Sequence, residues 1–288
     1  MTALEIITPS YAPDYELCRD LVVSIRAHGP GDVRHRIIVP DRDLALFRSL
    51  EDDRTVIQRV SDVLPRGLHR VPRLNLWLNL RAPWPPVRGW IAQQIVKLAA
   101  CAASTAAHAL IVDSDVVFVR GFDLDAYLVD GAAPLYRMPD AVDARLPQHL
   151  IWDDVAHRML GVPPRTDATR PDYICWPCLW QPAIARDLLR RVEEVTGRRW
   201  WTAVGRELRF SEMVLYGVYV DTVLAPATPT TTSMHCVPHS DEVALDDAAL
   251  ARFLARLTPD DLAVMISAKS GTSVGLRRER LRPLVPGL

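Results

Sequence analysis

The stretch HALIVDSDVVFVRGF, residues 108–122, places two aspartates, Asp113 and Asp115, in a run that is otherwise almost wholly apolar. Such runs are typical of buried strands. An unpaired buried carboxylate is costly, and two neighbouring carboxylates also repel each other. We therefore expect both acids to share a partner, such as a divalent cation bound where the chain turns at the end of the strand.

The segments ahead of this run alternate between strand and helix patterns. Strands are predicted at 4–9, 35–40 and 54–60, and helices at 15–29, 43–50 and 89–105. This order favours an α/β fold with a mainly parallel sheet flanked by helices. Prolines interrupt residues 61–89, which we interpret as an ordered excursion over the sheet.

The segments after the run continue the alternation. Strands or extended segments are predicted at 172–180, 230–240 and 262–267, and helices at 182–197, 211–220 and 246–256. The helix at 89–105 is expected to bury Ile91, Ile95, Leu98 and Ala102, which leaves Gln93, Gln94 and Lys97 on other faces. Residues from 268 onward are predicted to form a polar, mobile tail.

The composition is that of an ordinary soluble enzyme, with 49% apolar and 24% charged residues. The net charge of -1 gives no indication of a nucleic-acid or anionic-membrane partner. No apolar run is long enough to span a bilayer, and the first residues lack the pattern of a signal peptide. We therefore predict a cytoplasmic protein, and its five cysteines fit a reduced compartment.

Lysine is rare in this chain, since Lys97 and Lys269 are the only two among 34 basic residues. Arginine supplies the remaining positive charges. A lysine retained against such a bias is a hint that the position requires a compact ammonium group.

The segment LIVDSDVVFV resembles the Asp-x-Asp strand of nucleotide-sugar-dependent glycosyltransferases of the GT-A fold. Four other segments resemble, in the same order, those of a poorly characterised bacterial glycosyltransferase family: GWIAQQIVKLAAC, DYICWPCLWQPAIARDLLRRVEEVTGRRW, LRFSEMVLYGVYVD and LAVMISAKSGT. The resemblance implies one GT-A domain over 1–288, with a Rossmann-like, mainly parallel sheet and a smaller antiparallel portion on the acceptor side. Residues 1–120 would be the nucleotide-binding half, and 121–288 the acceptor-side half with the tail.

The implied activity is that of a hexosyltransferase that uses Mn²⁺ or Mg²⁺. It would move a sugar from a nucleotide diphosphate-sugar, with a UDP-sugar as the expected donor, to a small-molecule or glycan acceptor whose identity the sequence does not indicate. Two alternatives stay open. One is a nucleotide-binding family member without catalysis. The other is a nucleotidyltransferase, although TPSYAPD lacks the Gly-rich basic loop expected after its first strand.

The resemblance also implies roles for residues that would bind the donor. Asp115 would hold the ion against the two phosphates, and Asp113 would contact the ribose, the ion, or both. Lys269 would stabilise the departing diphosphate from a loop that Gly271 allows to close. The remaining candidates for donor binding are Thr8, Tyr11, Asp41, Gln94 and Lys97.

Two further roles concern transfer and the ion. An inverting enzyme needs a base for the acceptor hydroxyl, and the resemblance implies Glu212, which could equally be an ordinary capping acid at a helix start. The third protein ligand of the ion would be His239 or His235, and the spacing does not decide between them.

The segment CWPC, with Cys175 and Cys178, permits two other interpretations. It has the spacing of a redox dithiol, and with His235 and His239 it has the spacings of a Cys₂His₂ zinc site. We prefer a third interpretation, in which the thiols are buried and act as small hydrophobes.

Overall fold

A computed structural model describes residues 3–71, 74, 76–80, 83–224 and 228–288. The strands in this part of the chain are β1 (Leu4–Pro9), β2 (Arg34–Val39), β3 (Thr55–Arg59), β4 (Leu68–Arg70), β5 (Leu76–Asn79), β6 (Val87–Arg88), β7 (His108–Ile111), β8 (Val116–Phe118), β9 (Leu135–Tyr136), β10 (Met138–Val142), β11 (Arg170–Asp172), β12 (Cys178–Trp180), β13 (Thr230–Thr231), β14 (Cys236–His239) and β15 (Ala263–Ile266).

The α-helices of the same part are α1 (Tyr15–His28), α2 (Leu44–Phe47), α3 (Val60–Val63), α4 (Gly89–Ala103), α5 (Pro147–Leu160), α6 (Pro182–Thr196), α7 (Trp200–Gly205), α8 (Glu212–Val218), α9 (Asp247–Leu254) and α10 (Val274–Leu281). A π-helical turn over Tyr219–Leu224 continues α8. None of the described helices is long and apolar enough to cross a membrane.

The central sheet has the strand order β12–β7–β1–β2–β3. The pairs β7–β1, β1–β2 and β2–β3 are parallel, and β12 joins β7 antiparallel. Every residue of β1 is buried, as expected for a strand in the middle of a sheet covered on both faces. The prediction of an α/β fold with a mainly parallel sheet is confirmed.

A second sheet lies beside the first, with the order β14–β15–β8. The chain leaves the central sheet at the end of β7 and enters the second sheet at β8, so residues 112–115 connect the two. Asp113 and Asp115 therefore lie in the connection after β7, and the run 108–122 contains two strands separated by the turn that was expected at the end of the strand. The chain turns where the two acids occur, as their charge required.

Helix α4 has more buried faces than the sequence indicated. It packs on β1 and β7 on one side and on α6, α7 and α8 on the other. Consequently Gln94 and Lys97 are buried, with 2% and 5% of their surface exposed, whereas Gln93 is exposed. An amphipathic pattern reports one apolar stripe, and it cannot show that other helices cover the opposite face.

The Pro-rich excursion carries a small antiparallel sheet of its own, in the order β4–β5–β6. Asn79 at the end of β5 donates from Nδ2 to the hydroxyl of Thr202 in α7 (2.9 Å), which ties this sheet to the helical layer. Five residues of the predicted excursion, at positions 72, 73, 75, 81 and 82, lie outside the described residues.

The C-terminal segment differs from the predicted mobile tail because it contains α10 and is held by arginines. Arg278 binds Asp20 through Nε at 2.8 Å and 2.9 Å, and it also binds Glu16 of the same helix, α1. Leu281 is buried among the residues of α9 and β15. This polar segment thus forms a docked helix because Arg278 binds two acids of α1.

Candidate functional site

The two aspartates of the opening stretch are held in a tight turn. Val116 N donates to the carbonyl of Asp113 (3.2 Å), and Ile266 N on β15 donates to the carbonyl of Asp115 (3.2 Å). The turn directs the two carboxylates to different neighbours, the side chain of Lys97 and the backbone of Ala268. The acids thus stand where the carboxyl end of β7 meets the second sheet.

Lys97 is the buried partner that the sequence demanded for Asp113. Its Nζ lies 2.8 Å from Asp113 Oδ1 and 3.0 Å from Glu212 Oε1. Burial disfavours the ammonium, but the two carboxylates outweigh that effect and raise the pKa of Lys97 above its ordinary value. One cation is therefore shared by two acids, one from the turn after β7 and one from α8.

Glu212 is fixed in place by its own surroundings. Ser211 caps α8 by accepting from Val214 N, and Gln94 Oε1 accepts a hydrogen bond from Glu212 N (2.9 Å). Glu212 is only 4% exposed. The Nε2 of Gln94 is buried without a hydrogen-bond partner among the described residues. Gln94 thus supports Glu212, a contact that helical periodicity could not have predicted.

Asp115 has a different environment from Asp113. Its Oδ2 accepts from Ala268 N (2.9 Å), whereas Oδ1 is buried with no hydrogen-bond partner in the described part of the chain. Burial, and then the charge of Asp113, raise the pKa of Asp115 to about 6, and the Ala268 N–H opposes this rise. A carboxylate oxygen that lacks a partner in a buried position is a natural ligand position for a cation.

The loop that carries Ala268 is fixed by Arg277 of α10. This buried guanidinium donates to the carbonyls of Ile266 (2.8 Å), Ser267 (2.9 Å) and Thr272 (3.1 Å). Gly271 adopts φ 73°, the left-handed conformation that glycine accommodates best. The sequence analysis missed Arg277, and its only signal was an arginine in a segment that was expected to be mobile.

Asp14 is a further acid that the sequence analysis did not single out. Its Oδ2 accepts from the hydroxyl of Ser114, between the two aspartates, at 3.4 Å. Burial, and the charge of Asp113 to a smaller degree, raise the pKa of Asp14, while Ser114 and Arg277 oppose this. The turn at residues 113–115 is therefore surrounded by more negative charge than the Asp-x-Asp pair alone supplies.

A cavity of about 340 Å³ opens at the carboxyl ends of β1 and β2. This is the edge at which open α/β sheets bind ligands, next to the point where the strand order reverses between β1 and β7. Helix α4, whose Lys97 holds Asp113, forms one wall. The lining side chains include Tyr11, Ile38, Pro40, Arg42, Arg70, Trp77, Trp90, Gln93 and Lys269.

Tyr11 and Lys269 are the sequence-predicted donor residues that line this cavity. Lys269 is exposed, and its nearest acid is Glu242, 3.6 Å away. Tyr11 is 42% exposed. The structure therefore brings together an aromatic side chain from the loop after β1 and the ammonium from the loop after β15.

Five other predicted donor residues do not line the cavity: Lys97 and Asp113 pair with each other, and Thr8, Asp41 and Gln94 have other partners. Thr8 is fully buried, and its hydroxyl shares a hydrogen bond with His35 Nε2 (2.9 Å). Asp41 accepts from Ser61 N (3.2 Å) and faces a neighbouring groove. Gln94 supports Glu212, and Gln93 takes the position beside the cavity. The three side-chain directions have the same cause, because each depends on packing that the local sequence does not report.

The two histidines do not join the aspartates in this structure. His239 Nε2 donates to the carbonyl of Val243 (2.8 Å), and His235 Nδ1 to that of Asp260 (3.1 Å). Among the described residues, no three His, Cys, Asp or Glu side chains are arranged to hold one metal ion. The prediction of a histidine as third ligand has no support in this arrangement.

Cys175 and Cys178 are buried free thiols whose sulfur atoms lie 3.0 Å apart. Burial raises the pKa of Cys178 well above its usual range. Among the described residues, these thiols belong to no cluster of three side chains that could hold a metal ion. The zinc interpretation is therefore not supported. The preferred interpretation, buried small hydrophobes, agrees with their positions in the main core.

The pKa of Asp115 gives a testable prediction for the metal-free protein. An acid whose pKa is raised from 3.8 to about 6 favours the folded state less as pH rises through that window. In chelator, we expect Asp115→Asn to gain up to ~3 kcal/mol of unfolding free energy over the wild type between pH 4 and pH 7. Urea unfolding at both pH values measures this, and equal pH profiles would contradict it.

The ion pairs of Lys97 give a second prediction. Lys97→Met leaves the buried carboxylate of Glu212 and the partly exposed one of Asp113 without a cation, so we expect a loss of about 3–5 kcal/mol of unfolding free energy. Adding Glu212→Gln should restore part of that loss, because one uncompensated charge is then removed. Gln93→Met, on the same helix and exposed, is the control and should change little. A harmless Lys97→Met would show that the ammonium is not needed for folding.

Comparison with solved structures gives similarity over most of the chain. An active-site mutant of LgtC is 12% identical, with a TM-score of 0.46, over 99% of this chain and 97% of that chain. The apo structure of WbbM, a bifunctional glycosyltransferase, is 11% identical with a TM-score of 0.46. That match covers 92% of this chain but 45% of WbbM.

Among curated proteins there is no match. A family profile with the description "Family of unknown function (DUF6492)" matches residues 3–251, most of the chain. The chain therefore belongs to this family of unknown function, DUF6492.

Proposed function

We propose that the protein is a metal-dependent glycosyltransferase of the GT-A type that takes its sugar from a nucleotide diphosphate-sugar, with a UDP-sugar as the donor. The observation that carries the proposal is the Asp113–Asp115 turn beside a cavity at the carboxyl edge of a parallel sheet. A sheet edge of this kind suits a nucleotide. A pair of acids there suits a cation that bridges two phosphates.

The residues present fit a divalent ion of the Mg²⁺ or Mn²⁺ class. Asp115 offers a buried carboxylate oxygen without a hydrogen-bond partner in the described chain, and Asp113 lies two residues away. Such ions commonly bind one or two carboxylates and complete their coordination with phosphates and water. When bound, the ion would act as a Lewis acid on the departing diphosphate. A site with only two protein ligands should therefore bind its ion well only with the nucleotide.

The cavity supplies the remaining contacts with the donor. Tyr11, Trp77 and Trp90 offer aromatic faces for the base. Lys269 offers an ammonium for the diphosphate, and Arg277 limits the motion of its loop by binding the backbone on both sides of it. Since Lys97 is paired with two acids, we assign it to the support of Asp113 and not to direct contact with phosphate.

Glu212 receives a different role from the general base predicted from the sequence. Its carboxylate is buried and paired with Lys97 at 3.0 Å, and a base must be free to accept a proton from the acceptor hydroxyl. We assign Glu212 to the positioning of Lys97, and through it of Asp113. In this role, Glu212 would affect the binding of the metal and the donor.

Metal and nucleotide binding should be coupled if this function is correct. We expect Mn²⁺ to tighten UDP binding by ~tenfold or more, and UDP to tighten Mn²⁺ binding by the same factor. Asp115→Asn should abolish the coupling and remain folded. Calorimetric titration with and without EDTA measures both. A UDP affinity that EDTA leaves unchanged would refute the metal site.

Release of sugar from UDP-sugars in the same samples distinguishes an enzyme from a non-catalytic nucleotide-binding protein. The enzyme should hydrolyse one donor slowly when no acceptor is present. Metal–UDP coupling without hydrolysis of any donor would favour the binding protein. Release of diphosphate from a nucleoside triphosphate in the presence of a sugar phosphate would favour a nucleotidyltransferase.

The two roles for Glu212 differ in their kinetics. As a positioning residue, Glu212→Gln should raise the donor KM and weaken Mn²⁺–UDP coupling, with a smaller change in kcat. As a general base it should lower kcat by ~10²-fold and leave the donor KM intact. Steady-state kinetics with varied donor separates the two outcomes, and Arg252→Ala, at an exposed position of α9 that does not line the cavity, serves as the control.

A further inference from the structure

The distribution of charge along the chain is uneven in a way that the net charge conceals. Between Asp62 and Asp113 the sequence has no Asp or Glu, but it has five arginines and one lysine. The chain as a whole carries 35 acids in 288 residues. This acid-free stretch contains the small sheet β4–β6, which lies at the surface beside the cavity.

Exposed apolar side chains occur in the same region. Trp84 is 79% exposed and Leu80 is 66% exposed, and both lie in the connection between β5 and β6. Leu208, after α7, is 57% exposed. Single exposed apolar residues are common on protein surfaces, so these three are informative only if they lie together.

Hydrogen bonds show that the chain segments carrying these exposed apolar side chains adjoin one another. Leu80 N donates to the carbonyl of Gly67 (3.0 Å), and Arg206 Nη1 donates to the carbonyl of Trp84 (3.4 Å). The exposed arginines Arg66 and Arg206 therefore belong to segments that adjoin those of Leu80 and Trp84. We call this set the basic-aromatic patch, and its members are Arg66, Leu80, Trp84, Arg206, Leu208 and Arg209.

The charge of the patch is not cancelled by the acid closest to it in sequence. Glu207 lies between Arg206 and Leu208, but its carboxylate is bound by Arg158 at 2.9 Å. The patch thus combines a tryptophan and two leucines with a positive rim. This combination matches the surface of an anionic bilayer, where tryptophan resides at the headgroup level and arginines attract acidic lipids.

We infer that the basic-aromatic patch docks the protein reversibly on an anionic membrane surface. The docking itself is independent of the proposed enzymatic function. Because Arg70 and Trp77 of the same small sheet line the cavity, docking would also hold the cavity near lipid headgroups. That consequence alone rests on the proposed function, and it would favour an acceptor attached to a lipid.

The test is co-sedimentation of the full-length protein with two kinds of vesicle. One is pure phosphatidylcholine, and in the other about a third of the lipid is phosphatidylglycerol. We expect the anionic vesicles to bind at least ~tenfold more strongly, and binding to weaken in high salt. Equal binding to both vesicles, or none to either, would overturn the inference.

Variants assign the binding to the patch. Leu80→Ser/Trp84→Ser should reduce binding to anionic vesicles by ~tenfold or more, and Arg66→Glu/Arg209→Glu should remove the preference for anionic lipid. Val243→Ser/Arg252→Glu alters an exposed apolar residue and an exposed arginine elsewhere, and should bind as the wild type does. Because all these side chains are exposed, we expect each variant to fold. Thermal unfolding checks this.

Two results with the variants would contradict the inference. One is wild-type vesicle binding by Leu80→Ser/Trp84→Ser. The other is a wild-type dimer in sedimentation velocity that this variant converts to a monomer, which would make the patch an interface between two copies of the chain. Both measurements are independent of sugar transfer. Vesicle binding by a protein that transfers no sugar would therefore still support the inferred docking.

Discussion

The ion pairs of Lys97 are the constraint on which the candidate site depends. Glu212, which is buried, and Asp113, which is partly exposed, come from distant parts of the chain and approach one ammonium at 3.0 Å and 2.8 Å. Removing the ammonium would leave the Glu212 carboxylate without a cation in a poorly solvated place. The helix α4, the turn after β7 and the start of α8 are therefore held together by electrostatics as well as by their shared apolar core.

The environment of Asp115, the second carboxylate of the turn, differs from that of Asp113. Asp115 has a backbone N–H for one oxygen and no hydrogen-bond partner for the other in the described chain. Burial, and then the charge of Asp113, raise its pKa. In the proposed function, a divalent cation would bind this second oxygen, next to the Lys269 loop.

Arginine organises the surface around this site in two ways. Arg277 is buried and binds backbone carbonyls, so it gives the Lys269 loop a fixed shape. The arginines of the basic-aromatic patch are exposed. Planar guanidinium groups suit both uses, because each can satisfy several acceptors at once and is weakly hydrated.

Sequence alone determined the strand and helix order of residues 1–120, and it singled out Asp113, Asp115 and the two lysines as candidates. These features follow from periodicity, from the cost of buried acids and from composition, all of which are local. Tertiary structure decided the partners of individual side chains, which local sequence patterns do not contain. It gave Lys97 two acids, turned Gln94 towards Glu212 and Thr8 towards His35, and docked a polar tail through Arg277 and Arg278. The direction of a side chain depends on what packs against it, and those neighbours lie more than a hundred residues away for Gln94 and Arg278.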